Sequence, residues 1–302
     1  MTARCARATA CAKVNWVLEV LQRRPDGYHE VRTVLQTIDL CDTLELHSAS
    51  EMCLEVNGEG LPPEQGNLVM KAARLLRERA DGLPGARMRL SKAIPVAAGL
   101  AGGSSDATAA LRGLNVLWEL NLPPEALVDV AARLGSDVPF FLHGGTALAE
   151  GRGERVTPLP DAPRQELVIA LPLLTLAEKT RRMYSLLTSA DYTDGSMAGR
   201  LANAIRQDRA VADEHLFNVF DEPAFRTFPE LERLRRALLE AGARSVHLAG
   251  SGPALFALVD NATERERLTR AAAEAGARVL VAASAPAPQA LALEVSNGSA
   301  NG

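Results

Sequence analysis

No run of 18 or more apolar residues crosses this sequence, and its first residues, Met1 to Arg7, lead into no apolar signal-like core, so a cytoplasmic protein without membrane spans is expected. Positive charge is not in excess either. The 33 Lys and Arg residues face 37 Asp and Glu, for a formal charge of -4, which excludes the clustered basic surface of a general nucleic-acid binder and makes any phosphate binding local. Cysteine is scarce: Cys5, Cys11, Cys41 and Cys53 all lie in the first fifth of the chain and form no C-x-x-C pair, which argues against a zinc knuckle or thioredoxin-like site. We read them as reduced thiols, since a chain with this much core and no export signal has little need of disulfides. His29, His47, His143, His215 and His247 are scattered without metal-ligand spacing. Two nucleotide motifs are also missing, the lysine-ended G-x-x-x-x-G-K-[ST] loop and the G-x-G-x-x-G dinucleotide fingerprint.

What is present is material for a large core. Hydrophobic residues make up 47% of 302 positions, a length at which one core gives way to two units of roughly 150 residues. Period-2 stretches at Leu44/Leu46, Met52/Leu54/Val56 and Met88/Leu90 predict strands, and helical spacing predicts helices at Leu68 to Arg79 and from Ser104 to about Leu120. Strands cluster before helices, which makes the fold α+β and disfavours a doubly wound sheet. Gly and Pro gather at Gly151 to Gly153 and Pro158 to Pro163, so we place a boundary there, with units at 1–155 and 156–292. The second unit has an apolar run at Leu167 to Leu171, strand candidates at Ala254 to Val259 and Val279 to Ala283, and helical spacing at Leu231, Leu234, Leu238 and Leu239. Residues 293–302, ending in Ser296-Asn-Gly-Ser-Ala-Asn-Gly302, are expected to be a disordered tail.

The segment from Ile94 to Leu111 carries the strongest chemical signal. Gly99, Gly102 and Gly103, interleaved with Ala97, Ala98, Leu100 and Ala101, precede a helix with apolar positions at Ala107, Ala110, Leu111, Leu114 and Trp118. Glycines let backbone N–H groups converge, and a helix start adds unpaired donors and the positive end of the macrodipole, a combination suited to polyphosphate. Ser104 or Ser105 can cap the helix and offer a hydroxyl to phosphate or magnesium. A tight loop before a capped helix uses the same residue types for structure alone.

The whole string resembles the second motif of the GHMP kinases, and further segments match in order. Near the start stand Ala12-Lys13-Val14-Asn15 and Arg24-Pro25-Asp26-Gly27-Tyr28-His29-Glu30; near the end stands Leu248-Ala249-Gly250-Ser251-Gly252-Pro253-Ala254-Leu255-Phe256; between them lies Leu134-Gly135-Ser136-Asp137-Val138-Pro139-Phe140-Phe141. The similarity spans about residues 10–285. It implies a two-domain α+β architecture with the active site in the interdomain cleft, and ATP bound along Pro95, Ala97, Ala98, Gly99, Leu100, Ala101, Gly102, Gly103, Ser104 and Ser105. The Asp-Gly-Tyr-His and Ala-Lys-x-Asn segments point to the branch whose small-molecule substrate is a cytidylylated polyol. Ala101 stands where the family often has glycine, which asks for a negative φ there. Asp106 and Pro253 also depart from the pattern, and Pro172-Leu173-Leu174-Thr175-Leu176 matches it poorly.

A sugar-like hydroxyl is a weak nucleophile at neutral pH, so its phosphorylation benefits from a carboxylate that accepts the proton and from cations that neutralise developing charge. The resemblance gives Asp137 the role of base and Lys13 that of the cation orienting it. Without it, a turn carboxylate and a solvated lysine are the plainer readings. Magnesium should bridge the ATP phosphates, with Ser105 as its expected protein ligand and Asp106 as a possible helper. Tyr28 can stack on a pyrimidine and His29 can pair a base edge, with Asn15, Gly250, Ser251 and Gly252 completing the substrate contacts that the resemblance implies. Tyr28 and His29 also suit an ordinary hairpin turn. A mevalonate- or homoserine-type GHMP kinase and a catalytically silent ATP and metabolite sensor are the rival readings; a branched residue at Gly103 should obstruct ATP in all of them.

Overall fold

Alternating apolar residues become strands throughout the computed structural model, which describes residues 3–57, 66–79, 82–174 and 178–298. The strands are β1 (Ala3–Arg23), β2 (His29–Ala49), β3 (Cys53–Asn57), β4 (Gly85–Ser91), β5 (Thr146–Gly151), β6 (Arg155–Pro158), β7 (Glu166–Leu171), β8 (Phe217–Asn218), β9 (His247–Leu248), β10 (Leu255–Val259), β11 (Arg278–Ala283) and β12 (Leu293–Gly298). The helices are α1 (Leu68–Arg77), α2 (Gly102–Leu117), α3 (Pro124–Leu134), α4 (Lys179–Ser185), α5 (Ser196–Arg206), α6 (Asp221–Thr227), α7 (Pro229–Glu240), α8 (Ala262–Glu274) and α9 (Ala287–Ala290), with 3-10 turns at Pro139–Leu142 and Asp213–His215. The α+β reading therefore stands.

One sheet runs β12-β1-β2-β4-β3, with β5 and β6 continuing from β2 and β8 added beside β1; a second runs β11-β7-β10-β9. In the first sheet Ala6, Ala8 and Ala10 present small side chains to α2, whose Ala107, Ala109, Ala110 and Leu111 share their core. Alanines on both sides bring helix and sheet close. The apolar run of β7 is buried on both faces: Leu167, Ile169 and Leu171 pack with Trp16 and Phe256 from the two sheets, while Val168 and Ala170 face the cluster containing Leu231, Leu234 and Leu238 of α7. A strand covered on both faces reads as continuous hydrophobicity rather than alternation.

Two expectations change here. Leu293–Gly298 forms a strand antiparallel to β1, with Ala3 opposite Gly298 and Ala8 opposite Leu293, so this part of the supposed tail is a sheet edge. Backbone pairing supplies what its composition does not, and of this tail residues 299–302 lie outside the described residues. Cys11 and Cys41 are joined in a disulfide, because the antiparallel register of β1 and β2 sets them directly opposite; Cys5 and Cys53 remain free.

The β1–β2 ladder is interrupted between Cys11 and Lys13, between Asn15 and Val17, and between Val20 and Gln22. Such irregularities bend a strand and re-aim side chains. Lys13 and Asn15, two residues apart between the first two interruptions, share one face of the strand. Against this stretch the loop before α2 and the loop after β9 meet through backbone: Lys13 N–H donates to Leu100 O at 3.1 Å, and Ala254 N–H to Ala98 O at 3.1 Å. Gly99, at φ +95°, allows the approach, since a Cβ there would lie 2.0 Å from Ala249 O and 2.8 Å from Gly252 O. Ala101 adopts φ +56° and ψ 29° at the start of α2, contrary to the negative φ expected of an alanine. An L-residue in that region costs about 1–2 kcal/mol, which the surrounding contacts offset.

These two positions respond to substitution in opposite ways. Gly99→Ala is expected to lose about 1–3 kcal/mol through overpacking against rigid backbone, whereas Ala101→Gly is expected to hold or gain up to about 1 kcal/mol by releasing strain. Chemical denaturation of both proteins checks this; a Gly99→Ala protein as stable as its parent would contradict the close approach.

Candidate active site

Lys13 and Asp137 belong to elements far apart in sequence, and the fold brings the Lys13 Nζ to 4.0 Å from Asp137 Oδ2. Lys13 is buried, with Nζ donating to Asn15 Oδ1 at 2.8 Å; the Asn15 amide donates to Thr33 Oγ1, and that hydroxyl donates to Val17 O. Asn15, expected at the substrate, lines the cavity and also holds the lysine by its carbonyl oxygen. Burial lowers the Lys13 ammonium below its usual pKa and Asp137 opposes this. The Asp137 side chain is 41% exposed, on the turn between α3 and the 3-10 turn at Pro139, and so keeps access to the cavity.

That cavity, of about 1260 Å³, is lined by Lys13, Asn15, Asp137, Tyr28, His29, Gly250 and Ser251 together with Pro95 and the loop residues Ala97, Ala98, Gly99, Ala101, Gly102, Gly103 and Ser104. Almost every residue singled out in the sequence is therefore brought to one space. Leu100 is buried and serves through its carbonyl, and Gly252 is buried under Gly99. Ser105 is also buried, at 3% exposure, while Ser104 and Asp106 on either side line the cavity. Of the two adjacent serines, Ser104 is therefore the one on the cavity wall.

Among the glycines the burden differs from expectation. Gly103 would accept a Cβ with only Leu68 Cδ1 at 3.7 Å, so a branched residue there intrudes on the cavity without straining the backbone. Gly99 and Gly250 carry the backbone requirement: at Gly250, φ +57°, a Cβ would meet Lys13 Nζ at 2.9 Å and Gly99 O at 3.0 Å. Asn218 on β8 fixes this second loop by donating to Leu248 O at 2.9 Å and Gly250 O at 2.8 Å.

Below the loop lies a buried charged group that the sequence reading missed. Lys92 Nζ bonds both Asp42 and Asp106 Oδ2, the latter at 2.6 Å, and Asp42 Oδ1 accepts from Ala93 N and Ile94 N at 2.5 and 2.9 Å. Asp42 thus ties β2 to the start of the loop, and Lys92 ties both to the first turn of α2. Burial pushes the Asp106 carboxyl up to about 8, against the pull of the Lys92 ammonium. Asp106 Oδ1 has no hydrogen-bond partner among the described residues.

The hairpin joining β1 to β2 presents Tyr28 and His29. Gly27 at φ +84° makes the turn, and Asp26 Oδ1 accepts the Tyr28 N–H at 3.1 Å. Tyr28 is 53% exposed with the Arg152 guanidinium 4.8 Å over its ring. His29 stacks on Tyr184 at 4.6 Å between centroids, and burial, then Arg23, lower its pKa, which favours the neutral ring. Tyr184 of α4 and Tyr192 were not identified from sequence. Their signal was weak: they follow the poorly matching stretch, of which Thr175 and Leu176 lie outside the described residues. Among the described residues no group of three or more His, Cys, Asp or Glu could hold a metal, and no helix is long and apolar enough to cross a membrane.

Comparison with known proteins agrees with this geometry. Residues 67–145 match the GHMP kinases N terminal domain and residues 188–278 the GHMP kinases C terminal family. The 4-diphosphocytidyl-2-C-methyl-D-erythritol kinase of Dehalococcoides mccartyi is 42% identical over 258 residues, covering 85% of this chain and 90% of that protein. Its counterpart from Pelotomaculum thermopropionicum is 44% identical over 254 residues, covering 83% and 88%. A crystal structure of 4-(cytidine 5'-diphospho)-2C-methyl-D-erythritol kinase superposes with a TM-score of 0.78 at 34% identity, covering 92% of this chain and 99% of the other. With both domain matches in order and such relatives along most of its length, the chain belongs to the GHMP kinase family, alongside the 4-diphosphocytidyl-2-C-methyl-D-erythritol kinases.

Proposed function

We propose that the chain transfers the γ-phosphoryl group of ATP to a hydroxyl of 4-diphosphocytidyl-2-C-methyl-D-erythritol, a step in the non-mevalonate route to isoprenoid precursors. The observation that carries this is the Lys13–Asp137 pair, 4.0 Å apart, opening on a single cavity that also holds the glycine-rich loop and the aromatic hairpin. The names of the relatives support the substrate. The units stand at 1–155 and 156–292 in this reading, with β12 added to the sheet of the first.

In this mechanism Asp137 accepts the proton of the attacking hydroxyl, and Lys13 polarises that carboxylate and offsets charge on the transferring group. Thr33 and Asn15 hold the ammonium in place. The first N–H groups of α2 have no intrahelical acceptor, so Gly102 and Gly103 offer donors to the phosphates without side chains in the way. Magnesium, which here would be held mainly by phosphate and water and would neutralise phosphate charge, would find the Ser104 hydroxyl on the cavity wall and the buried, unpartnered Asp106 Oδ1 next to it, whereas Ser105 does not line the cavity. Tyr28, His29 and Tyr184 supply stacking faces and a base-edge partner for cytosine.

Turnover with Mg-ATP across a panel of alcohols tests the substrate: the cytidylylated methylerythritol should react, while mevalonate and homoserine should not. No turnover on any alcohol would favour a silent sensor. Asp137→Asn and Lys13→Met are each expected to lower turnover by about 10²-fold or more with little change in ATP affinity, measured by steady-state kinetics and calorimetric titration. A folded Asp137→Asn protein with near-normal turnover would remove Asp137 as the base.

Tyr28 is exposed enough that its loss should spare stability. Tyr28→Ala is expected to weaken the cytidylylated alcohol by about 1–3 kcal/mol, roughly 5- to 150-fold, and leave the KM for ATP within about twofold. His29→Ala should act in the same direction. Parallel loss of both substrates would reduce the hairpin to a packing element.

A further inference from the structure

Lys179 is a cation without a counter-charge in the cavity that reacting groups share. It is the first residue of α4, it lines the same space as Lys13, Asp137, Gly99 and Ser104, and it is half-buried. Its Nζ donates to Ala97 O at 3.1 Å, and among the described residues no carboxylate lies within ion-pair distance of it. An ammonium has three donors, so one carbonyl leaves it short of partners. The neighbouring charges do not resolve this. Lys13 of β1 repels it, Asp137 of the turn after α3 attracts it but already pairs with Lys13, and on its own segment Glu178 is held by Arg181 at 3.4 Å. Burial, then Lys13, push the Lys179 ammonium down to about 8 against the pull of Asp137.

With Lys92 taken up by Asp42 and Asp106, the two ammonium groups of Lys13 and Lys179 share the one carboxylate of Asp137, which leaves a positive surplus where water is partly excluded. Such a site is completed by an anion. The placement of α4 also matters: Thr180 Oγ1 lies 3.3 Å from Ser251 Oγ, so this first turn touches the loop after β9 through Thr180 and the phosphate loop through Lys179.

We propose that Lys179 is a second phosphate-binding cation of the reacting centre, leaving Ala97 O to take an oxygen of the γ-phosphoryl group of ATP and stabilising it during transfer. In that step the alcohol oxygen forms a bond to the γ-phosphorus, the bond from that phosphorus to the β-γ bridging oxygen breaks, the hydroxyl proton passes to Asp137, and ADP leaves with the bridging oxygen. Lys179 forms no covalent bond. It steadies charge on the equatorial oxygens, as loose phosphoryl transition states require. The proposal rests on the ATP-dependent kinase reading above.

The test compares Lys179→Gln, which keeps length and loses charge, with Lys179→Arg, which keeps charge. Lys179→Gln is expected to lower kcat by about 10-fold or more, to weaken a non-hydrolysable ATP analogue at least about fivefold more than it weakens ADP, and to leave the KM for the cytidylylated alcohol within about twofold. Lys179→Arg is expected to restore most of the kcat, and thermal unfolding should be unchanged in both. A loss confined to the KM of the alcohol would assign Lys179 to that substrate's own diphosphate and overturn the proposal. So would equal weakening of the ATP analogue and ADP, or unaltered kinetics in Lys179→Gln. The nucleotide titrations need no turnover, so they decide on Lys179 even if the parent protein fails to phosphorylate this alcohol and the kinase reading itself falls.

Discussion

Backbone touches backbone where side chains are forbidden, and the rest of the site depends on that contact. Gly99 lies so close to Ala249 and Gly252 that a single methyl group has no room, and at Gly250 the same methyl would press on Gly99 O and displace the Lys13 ammonium. Three segments spread over more than 200 residues of sequence, on β1, before α2 and after β9, are thereby drawn onto one lysine. Hydrogen bonds from Lys13 N–H to Leu100 O and from Ala254 N–H to Ala98 O lock the arrangement. Asn218 braces the far loop from beneath, and Asp42 braces the near one.

Electrostatics then follow from the packing. Lys13 and Lys92 are both taken from water, but with different compensation. Lys92 lies between two carboxylates that hold its pKa above the usual value despite burial, so its charge is structural and fixed. Lys13 has one amide oxygen and one carboxylate at 4.0 Å, and its pKa falls. A partly compensated cation retains capacity to bind an incoming anion, whereas a fully paired one does not. Lys92 thus holds the loop, while Lys13 keeps charge at the cavity wall, as the proposed transfer requires.

The sequence made the chemistry more legible than the architecture around it. The α+β class and the strands at Leu44, Leu54 and Leu90 could be read because they rest on local periodicity, whereas the grouping of Lys13, Asp137 and the glycine loop was legible only through the resemblance to the GHMP kinases. β1 could not: its alanines at positions 6, 8, 10 and 12 carry little strand signal, and the ladder irregularities break the alternation. The disulfide depended on a register set over 21-residue strands, and β12 on a partner nearly 300 residues away. Nor could spacing tell which glycine bears a positive φ or which of two adjacent serines faces the cavity. Thr33, Asn218 and Lys179 were invisible because each acts through elements remote in sequence.

The central claim is that glycine-mediated contact sets the position of Lys13 and so the rate of phosphoryl transfer. Single-turnover kinetics of Gly250→Ala with Mg-ATP and the cytidylylated methylerythritol tests it most directly, because the added methyl would meet the Lys13 ammonium at 2.9 Å. The account predicts a folded protein that binds the ATP analogue nearly as its parent does but transfers phosphate at least about 10-fold more slowly, the scale of a displaced charge at a reacting centre. Parental single-turnover rates in the folded variant would contradict it.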